Sequence, residues 1–532
     1  MPNCKNCNAG FEITGSDRQF YSRIDVPEPT LCPDCRQQRR LAWRNERNLY
    51  KGECGLCHKS VITMYAPESL YTIYCRDCWW SDKWDALNYG REFDFNRPFF
   101  EQFYELLKAV PKCNLLIFNN IENCDYCNCQ NDSRNCYLVF GSGFMEDCMY
   151  TEWVYYAKNT IDCSFCQNSE MDYMNVDCSK TYHCRFCRYC RVCSDCAYCF
   201  DLRNCKNCFG CIGMRGKEFY IFNKPYSKEE YEKKVKELNR PEGIDLVKQE
   251  YEKLKRAYPH VCSQLINCEN CTGDDIENAK NCRNCFDLKD SEDCVYNYDV
   301  LQDKNVMDAS RTGVTDLGYE IACGGFYQQV RFVCGGAYIS FADYCIECMN
   351  SKYLFGCVGV NHQDYVILNK KYSKEEYETL APKIIEHMKR TGEWGEFFPA
   401  HLSPFPYNNS VAYDFFPLTE KMCETKGLVW REMERASVES RAANISGNIA
   451  VCEVTGKQFR ITDKEIRFYK DENLPIPTKC PNQRYLERIA LKNPRKLFSR
   501  NCAKCGAPIQ TTYSPERPEK VYCEQCYLKE VY

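Results

Sequence analysis

The chain has 532 residues, of which 44% are hydrophobic and 14% aromatic, so it can form several folded domains and is not disordered as a whole. No apolar run is long enough to cross a membrane, and the start (MPNCKNCNAG) lacks the pattern of a signal peptide. The 44 cysteines therefore indicate metal sites or buried thiols in a reducing, cytoplasmic setting rather than a secreted disulfide framework. The net charge of −4 excludes a globally basic nucleic-acid binder, although the last 118 residues are locally basic.

The two ends of the chain are copies of each other at an offset of 448 residues, with no gap from residue 4 to about 79. Six cysteines carry the relation: Cys4, Cys32, Cys54, Cys57, Cys75 and Cys78 correspond to Cys452, Cys480, Cys502, Cys505, Cys523 and Cys526. We therefore predict one two-finger module, used at both termini.

Three sets of cysteines have the spacing of structural zinc sites. Two C-x2-C pairs can supply four thiolates to one tetrahedral Zn²⁺, and four sulfur ligands leave no position for a reacting molecule. The predicted ligands are Cys4, Cys7, Cys32 and Cys35; Cys54, Cys57, Cys75 and Cys78; and Cys502, Cys505, Cys523 and Cys526. The cofactor prediction is three structural zinc ions, with iron or free thiols as alternatives. The pair at 32/35 opens a helical pattern, and this order of elements resembles the treble-clef zinc finger.

The third finger in the chain lacks two of the four ligands. Thr455 stands where the first copy has Cys7, and Gln483 stands where it has Cys35. We predict that this finger binds no zinc and is held by its apolar residues.

Each module also carries basic residues at helical spacing. Positions i, i+4, i+8 and i+11 lie on one face of a helix. The residues are Arg36, Arg40, Arg44 and Arg47, and in the second copy Arg484, Arg488, Lys492 and Arg495. Contact with the phosphates of RNA or DNA is one interpretation. A solvated helix face is the second, and pairing with an acidic partner, including the middle of this chain, is the third.

The middle of the chain is a second duplication, with a 146-residue offset. IFNKPYSKEEYE at 221–232 matches ILNKKYSKEEYE at 367–378, and the register holds back to about residue 135. Each copy predicts a short strand, a turn and a helix that starts with an S-x-x-E capping box. We predict helices over about 228–239 and 374–390, with a linker helix over 244–257.

The bodies of the two copies, lobe 1 and lobe 2, show no helical period. Short strand-like pieces alternate with Asn-Cys and Asp-Cys pairs, and cysteines recur about every 15 residues at 148, 163 and 178. One such unit cannot bury its own face but a stack of units can. The preferred fold is therefore a short parallel β-solenoid, and the alternative is an irregular, metal-clamped β fold.

The fold class is thus multidomain and mainly β, with duplicated treble-clef finger pairs flanking two cysteine-rich lobes. The predicted segments are fingers at 1–50 and 51–112, lobe 1 at 113–240, the linker helix at 241–260, lobe 2 at 261–390, an aromatic and Pro-rich connector with a helix at 391–445, the degenerate finger at 446–500 and the last finger at 501–532.

Lobe 1 has cysteines at every third position from 184 to 199, which by itself suggests a metal cluster. The copy at +146 has Val330, Val333, Ile339 and Ala342 at four of these positions. Free cysteine behaves as a small buried hydrophobe, so we predict inward-packed reduced thiols. Extra zinc and disulfides are the alternatives.

The whole layout resembles a group of cysteine-rich zinc-ribbon proteins of candidate-phyla bacteria. The resembling stretches are CPDCRQQRRLAWRNERNLY at 32–50, WWSDKWD followed by YGREFDF within 79–95, and FGC followed by IFNKPYSKEEYE. The group has no established activity, so the resemblance implies zinc fingers and no reaction. A CoA-transferase label carried by some members finds no supporting motif here.

Two functions are weighed against each other. In the first, the basic modules bind RNA or DNA, and Trp79, Trp80 and Trp84 either stack on bases or pack as a collar. In the second, the lobes recognise a protein partner and the fingers are purely structural. Six scattered histidines and the lack of a Gly-rich phosphate loop predict that the chain is not an enzyme.

Overall fold

The computed structural model describes residues 1–154, 157–158, 160–432 and 448–532, which fall into two compact units. Unit 1 contains Met1–Leu116 and Gln264–Arg431, and unit 2 contains Ile117–Ser263 and Glu432–Tyr532. The N-terminal module therefore shares a unit with lobe 2, and the C-terminal module shares one with lobe 1. Residues 433–445 of the expected connector and 446–447 of the degenerate finger lie outside the described residues.

The helices are short except in the segments that follow each lobe. They are α1 (Gly15–Arg23), α2 (Pro33–Leu41), α3 (Arg76–Trp79), α4 (Phe99–Ala109), α5 (Lys228–Leu238), α6 (Pro241–Ala257), α7 (Lys374–Thr391), α8 (Val411–Phe415), α9 (Glu420–Thr425), α10 (Asp463–Asp471), α11 (Pro481–Ala490) and α12 (Glu524–Val531). Turns of 3-10 helix lie at Ala86–Tyr89, Ala400–Leu402 and Tyr407–Asn409.

The strands are two to eight residues long, with one continuous exception in lobe 2. They are β1 (Tyr50–Glu53), β2 (Ser60–Thr63), β3 (Ile73–Tyr74), β4 (Lys112–Cys113), β5 (Ile117–Glu122), β6 (Gln130–Arg134), β7 (Ser179–Tyr182), β8 (Arg191–Ser194), β9 (Lys206–Phe209), β10 (Glu218–Ile221), β11 (Lys224–Pro225), β12 (His260–Val261), β13 (Leu265–Glu269), β14 (Gly273–Lys280), β15 (Cys285–Lys289), β16 (Tyr298–Leu301), β17 (Lys304–Phe355), β18 (Asp364–Ile367), β19 (Lys370–Lys371), β20 (Ile449–Val451), β21 (Gln458–Arg460), β22 (Phe498–Asn501), β23 (Pro508–Thr511) and β24 (Val521–Tyr522).

Successive segments of each lobe pair in parallel at a regular step along the chain. Arg185 bridges Ala197 in lobe 1, and Tyr298 bridges Ser310 in lobe 2. In most of each lobe every third residue has a positive φ near 55°, as Asp195 does. Asn and Asp occupy many of these positions because they tolerate the left-handed region best among non-glycine residues. The structure thus repeats with a 12-residue period, built from four triplets, and the 15-residue spacing of cysteines at 148, 163 and 178 does not mark it.

The residue that follows each left-handed position points into the lobe. In lobe 1 these are mainly cysteines such as Cys187 and Cys199, which are fully buried, and in lobe 2 they are mainly aliphatic. The thiol of Cys187 donates to the carbonyl oxygens of Arg185 at 3.4 Å and Cys196 at 3.5 Å. The cysteines from 184 to 199 are buried and packed inward, as predicted, and they form no disulfides with one another in the described part of the chain.

The elements that close each lobe follow the sequence prediction. Ser227 and Ser373 form the expected capping boxes at the starts of α5 and α7. The helix predicted over 244–257 is α6, which begins three residues earlier because a proline at 241 occupies the first helical position. Among the described helices, none is both long and apolar enough to span a bilayer.

The helices that carry the basic residues are shorter than predicted. α2 ends at Leu41 and α11 ends at Ala490. Arg44, Arg47, Lys492 and Arg495 therefore lie beyond these helices, and the expected four-residue helical stripe is wrong in both modules.

Candidate metal centres

Three groups of four thiols converge in the positions that the sequence predicted, and any of them could hold a metal ion. In each group all four sulfur atoms lie within 4.8 Å of one another. The groups are Cys4, Cys7, Cys32 and Cys35; Cys54, Cys57, Cys75 and Cys78; and Cys502, Cys505, Cys523 and Cys526.

The sulfur separations match a tetrahedral site. Cys7 and Cys32 have their Sγ atoms 3.7 Å apart, as do Cys57 and Cys75. The equivalent pair in the last finger is 3.8 Å apart. Zn–S bonds of about 2.3 Å in a tetrahedron require sulfur separations of about 3.8 Å, so the cages have the size that zinc needs.

In two of the three groups, backbone amides stabilise one sulfur as a thiolate. The N–H of Cys75 donates to Cys54 Sγ at 3.2 Å, and the N–H of Cys523 donates to Cys502 Sγ at 3.2 Å. Burial works to raise the pKa of Cys54, but these amide hydrogen bonds outweigh it and lower the pKa to about 6. The pKa of Cys502 falls to about 6 for the same reasons. Thiolate ligands are what a Zn²⁺ ion requires.

The degenerate finger keeps the backbone of a zinc knuckle without the four thiols. Cys452 N–H donates to the Lys457 carbonyl at 2.9 Å, as Cys4 N–H does to Ala9. Thr455 Oγ1 lies 3.9 Å from Cys480 Sγ, in the place of the missing sulfur. This finger is not among the four-thiol groups of the described residues.

The lobe cysteines do not add a further cluster. Within the described part of the chain, they form no group of three sulfurs that all lie within 4.8 Å of one another. Their thiols are instead occupied by backbone carbonyl oxygens, as described for Cys187.

The arginines of α2 are buried against lobe 2. Arg36 Nε donates to Asp308 Oδ2 at 2.9 Å, and Arg40 NH1 contacts Asp308 Oδ1 at 3.2 Å and Glu320 at 2.9 Å. Arg36 is 1% exposed and Arg40 is fully buried. Arg36 also lies over the ring of Tyr296, 5.3 Å from its centroid.

The same contacts recur between α11 and lobe 1. Arg484 Nε and Arg488 NH1 each lie 2.8 Å from a carboxylate oxygen of Asp162. Arg484 lies 4.7 Å from the ring centroid of Tyr150. Asp162 and Tyr150 correspond to Asp308 and Tyr296 at the 146-residue offset.

The remaining members of the basic set also lie within the fold. Arg44 is buried and pairs with Glu46, and Lys492 Nζ contacts Asp177 Oδ1 at 2.6 Å. Arg47 and Arg495 are half-buried. The charges of these residues are largely enclosed, which does not favour their use as a phosphate-binding face. The contacts favour the third interpretation, pairing with the acidic middle of the chain.

Two of the three tryptophans after the second finger are packing residues. Trp79 and Trp84 have ring centroids 4.6 Å apart, and Trp84 Nε1 donates to the Trp79 carbonyl at 2.9 Å. Only Trp80 is exposed, at 41%. The arrangement favours the collar interpretation over base stacking.

Sequence reasoning missed an exposed aromatic column on lobe 2. Phe326 and Tyr338 are 50% and 49% exposed and stack with ring centroids 4.6 Å apart. Phe341, three residues after Tyr338 in the chain, is 39% exposed and stacks on Tyr353 at 5.0 Å. The 12-residue spacing of Phe326 and Tyr338 was the available signal, and it was obscured because the period was not recognised.

No family model matches this chain, and no curated protein matches it. Among solved structures, a UDP-N-acetylglucosamine acyltransferase from Campylobacter jejuni is 10% identical over 54% of this chain and 94% of that chain, with a TM-score of 0.09. A similarity at that level carries no argument about fold or function. The chain is therefore characterised by its three four-thiol centres and by the repeated docking of its terminal modules on its lobes.

Proposed function

We propose that this protein is a zinc-stabilised recognition scaffold that carries out no reaction. Three zinc ions fold treble-clef fingers, the fingers brace two β-solenoid lobes, and the exposed aromatic column of lobe 2 binds a protein partner. The proposal places the protein in a reducing compartment, since its many unpaired thiols would otherwise oxidise.

The observation that carries the proposal is the duplicated arginine–carboxylate docking. The arginines that could bind phosphates are neutralised by Asp308 in unit 1 and by Asp162 in unit 2. A buried ion pair of this kind fixes one element against another and leaves little charge for a polyanion. The modules are therefore assigned a structural role, and the lobes carry recognition.

The aromatic column is the favoured recognition surface because its rings are both exposed and stacked in register. Phe326, Tyr338 and Phe341 all have φ between 53° and 58°, a region that bulky residues occupy at an energetic cost. Their rings are nevertheless half exposed, so burial does not repay that cost. Rigid exposed aromatics supply contact area with little loss of entropy on binding.

The test is a peptide-display selection on the full-length protein. We expect selected apolar peptides to lose at least tenfold affinity for a Phe326→Ser/Tyr338→Ser variant. A Tyr126→Ser/Phe144→Ser variant, which removes exposed aromatics of lobe 1, is the matched control and keeps the affinity. Equal binding to all three proteins would refute the assignment of the surface.

Nucleic-acid binding is tested in parallel by fluorescence anisotropy with RNA and DNA. The proposal expects no saturable binding at physiological salt. Tight binding that weakens steeply as salt rises would restore the nucleic-acid function, because that slope reports phosphate contacts.

A further inference from the structure

The degenerate finger of unit 2 is a preserved site with a different set of donors. Three backbone hydrogen bonds of the first finger recur there at nearly the same lengths. Cys452 N–H to Lys457, Gly456 N–H to Cys452 and Glu453 N–H to Thr478 measure 2.9, 2.9 and 3.0 Å. Their counterparts in the first finger measure 2.9, 2.9 and 3.1 Å. The knuckle is therefore kept in shape although its metal set is gone.

The remaining donors do not suit zinc. Thr455 supplies a hydroxyl, and the amide nitrogen of Gln483 donates to Glu487 at 3.1 Å. Zinc sites are built from thiolate, imidazole and carboxylate, and two thiols alone are too few. What remains is Cys452 and Cys480, which are 1% and 8% exposed and form no disulfide in the structure. The Cys480 sulfur lies 3.9 Å from the hydroxyl of Thr455, in the knuckle that Cys452 begins.

We propose that Cys452 and Cys480 form a reversible disulfide that closes this finger in place of a metal ion. The oxidant is hydrogen peroxide, which is small enough for a site of such low exposure. Both thiols are oxidised, and one peroxide is reduced to two waters.

The chemistry starts at Cys452. Burial works to raise the pKa of Cys452, but the backbone amides of Cys480, Thr455 and Val454 and the Thr455 hydroxyl lower it to about 7. A thiol with a pKa near the ambient pH attacks most effectively. Burial raises the pKa of Cys480, so Cys480 stays protonated and acts second.

The oxidation of the two thiols takes place in two stages. The Cys452 thiolate attacks one peroxide oxygen, the O–O bond breaks, and the hydroxide released takes up a proton to become water. The Cys480 sulfur then attacks the Cys452 sulfenic acid, the S–O bond breaks, and the second water leaves as the S–S bond forms. A dithiol reductant reverses the reaction by thiol–disulfide exchange.

The test uses the full-length, metal-loaded protein. It is treated with a low dose of hydrogen peroxide, alkylated under denaturing conditions and cut after lysine and arginine. Cys452 and Cys480 then lie on the separate peptides 442–457 and 480–484. We expect these peptides to be joined, with the mass of two hydrogens lost, while the bound zinc is unchanged. A dithiol should separate them again. Recovery of both peptides alkylated, or zinc release before they join, would overturn the proposal.

Two variants test which sulfur attacks the peroxide. In Cys480→Ser, Cys452 cannot be resolved, so dimedone added together with denaturant after peroxide treatment should label it. In the control Cys423→Ser, which removes a buried cysteine of unit 1, the joined peptides should form as in the unchanged protein. Absence of a dimedone adduct on Cys452 would contradict its role as the attacking group.

Discussion

Asp308 and Asp162 stand at equivalent positions of the two lobes, and each carboxylate receives two arginines from a terminal module. Arg36 and Arg40 meet Asp308, while Arg484 and Arg488 meet Asp162. The aromatic surroundings repeat as well, since Tyr21 packs on Tyr319 at 5.6 Å and Tyr469 packs on Tyr173 at 5.9 Å. Each terminal module therefore docks on its lobe through the same contacts. The C-terminal module keeps these contacts although its first finger has lost two of the four metal ligands.

Removal of either carboxylate should destabilise the protein, and the two variants should differ. Arg40 retains Glu320 when Asp308 is lost, whereas Met174 stands at the equivalent position beside Arg488. We expect Asp162→Ala to cost about 3–5 kcal/mol, the cost of leaving the buried Arg488 without its carboxylate, and Asp308→Ala to cost less. Urea unfolding followed by circular dichroism measures both.

The control for these variants is Asp147→Asn. Asp147 also joins lobe 1 to the C-terminal module, through Lys464 at 2.9 Å, but both side chains are partly exposed. Such a pair contributes less than about 1 kcal/mol. A control that destabilises as much as Asp162→Ala would show that burial is not what matters at Asp162.

Metal content should follow the number of four-thiol sets. We expect three zinc ions per chain by elemental analysis, and two in Cys54→Ser, because that substitution breaks one set. Cys423→Ser should keep three, since Cys423 belongs to an apolar cluster in unit 1. Six or more zinc ions in the unchanged protein would contradict the prediction that the lobe thiols pack in the interior without binding metal.

Restoring the missing ligands should restore a metal site. Thr455 Oγ1 lies 3.9 Å from Cys480 Sγ, close to the 3.7 Å between Cys7 and Cys32. We therefore expect the double variant Thr455→Cys/Gln483→Cys to bind a fourth zinc ion. A count that stays at three, with all four thiols open to alkylation after folding, would show that the finger has lost the geometry as well as the ligands.

The lobe 1 thiols should tolerate exchange for the aliphatic residues of lobe 2. Cys187→Val combined with Cys193→Ile copies Val333 and Ile339. We expect a change in the free energy of unfolding below about 1.5 kcal/mol and an unchanged zinc content. Cys187→Asp, which places a charge in the same position, should prevent folding.

Asp303 inside lobe 2 should make stability depend on pH. Burial raises the pKa of Asp303 to about 7, although Thr312 Oγ1 and the Thr315 amide donate to its carboxyl oxygens at 2.6 and 3.0 Å. Between about pH 4 and 7 the folded protein holds a proton that the unfolded chain has lost. Stability should therefore fall as pH rises through this range, by up to about 1.4 kcal/mol per pH unit.

The variant Asp303→Asn should abolish that component. Asn297 already shows that an amide fits an inward position, since its oxygen accepts from the Ala309 amide at 3.0 Å. The difference in unfolding free energy between the two proteins, measured from pH 4 to 8, should grow with pH. A constant difference would show that Asp303 does not titrate in this range.

Local patterns were read correctly from the sequence because each depends on neighbouring residues. The capping boxes at Ser227 and Ser373 and the three four-thiol groups are of this kind. The 12-residue period was missed because the cysteines mark only some inward positions, and Asp172 or Asn175 replace them in others. The burial of Arg36 and Arg40 could not be predicted because their partners lie about 270 residues away in the chain.

Each unit combines two segments that are far apart in the chain, so the two units are completed at different times during synthesis, which runs from the N-terminus. Unit 1 has all of its residues once position 431 has been made, whereas unit 2 still lacks everything after it. Lobe 1 therefore leaves the ribosome long before the arginines that neutralise Asp162 exist. During that interval the Asp162 carboxylate lacks both of its arginine partners.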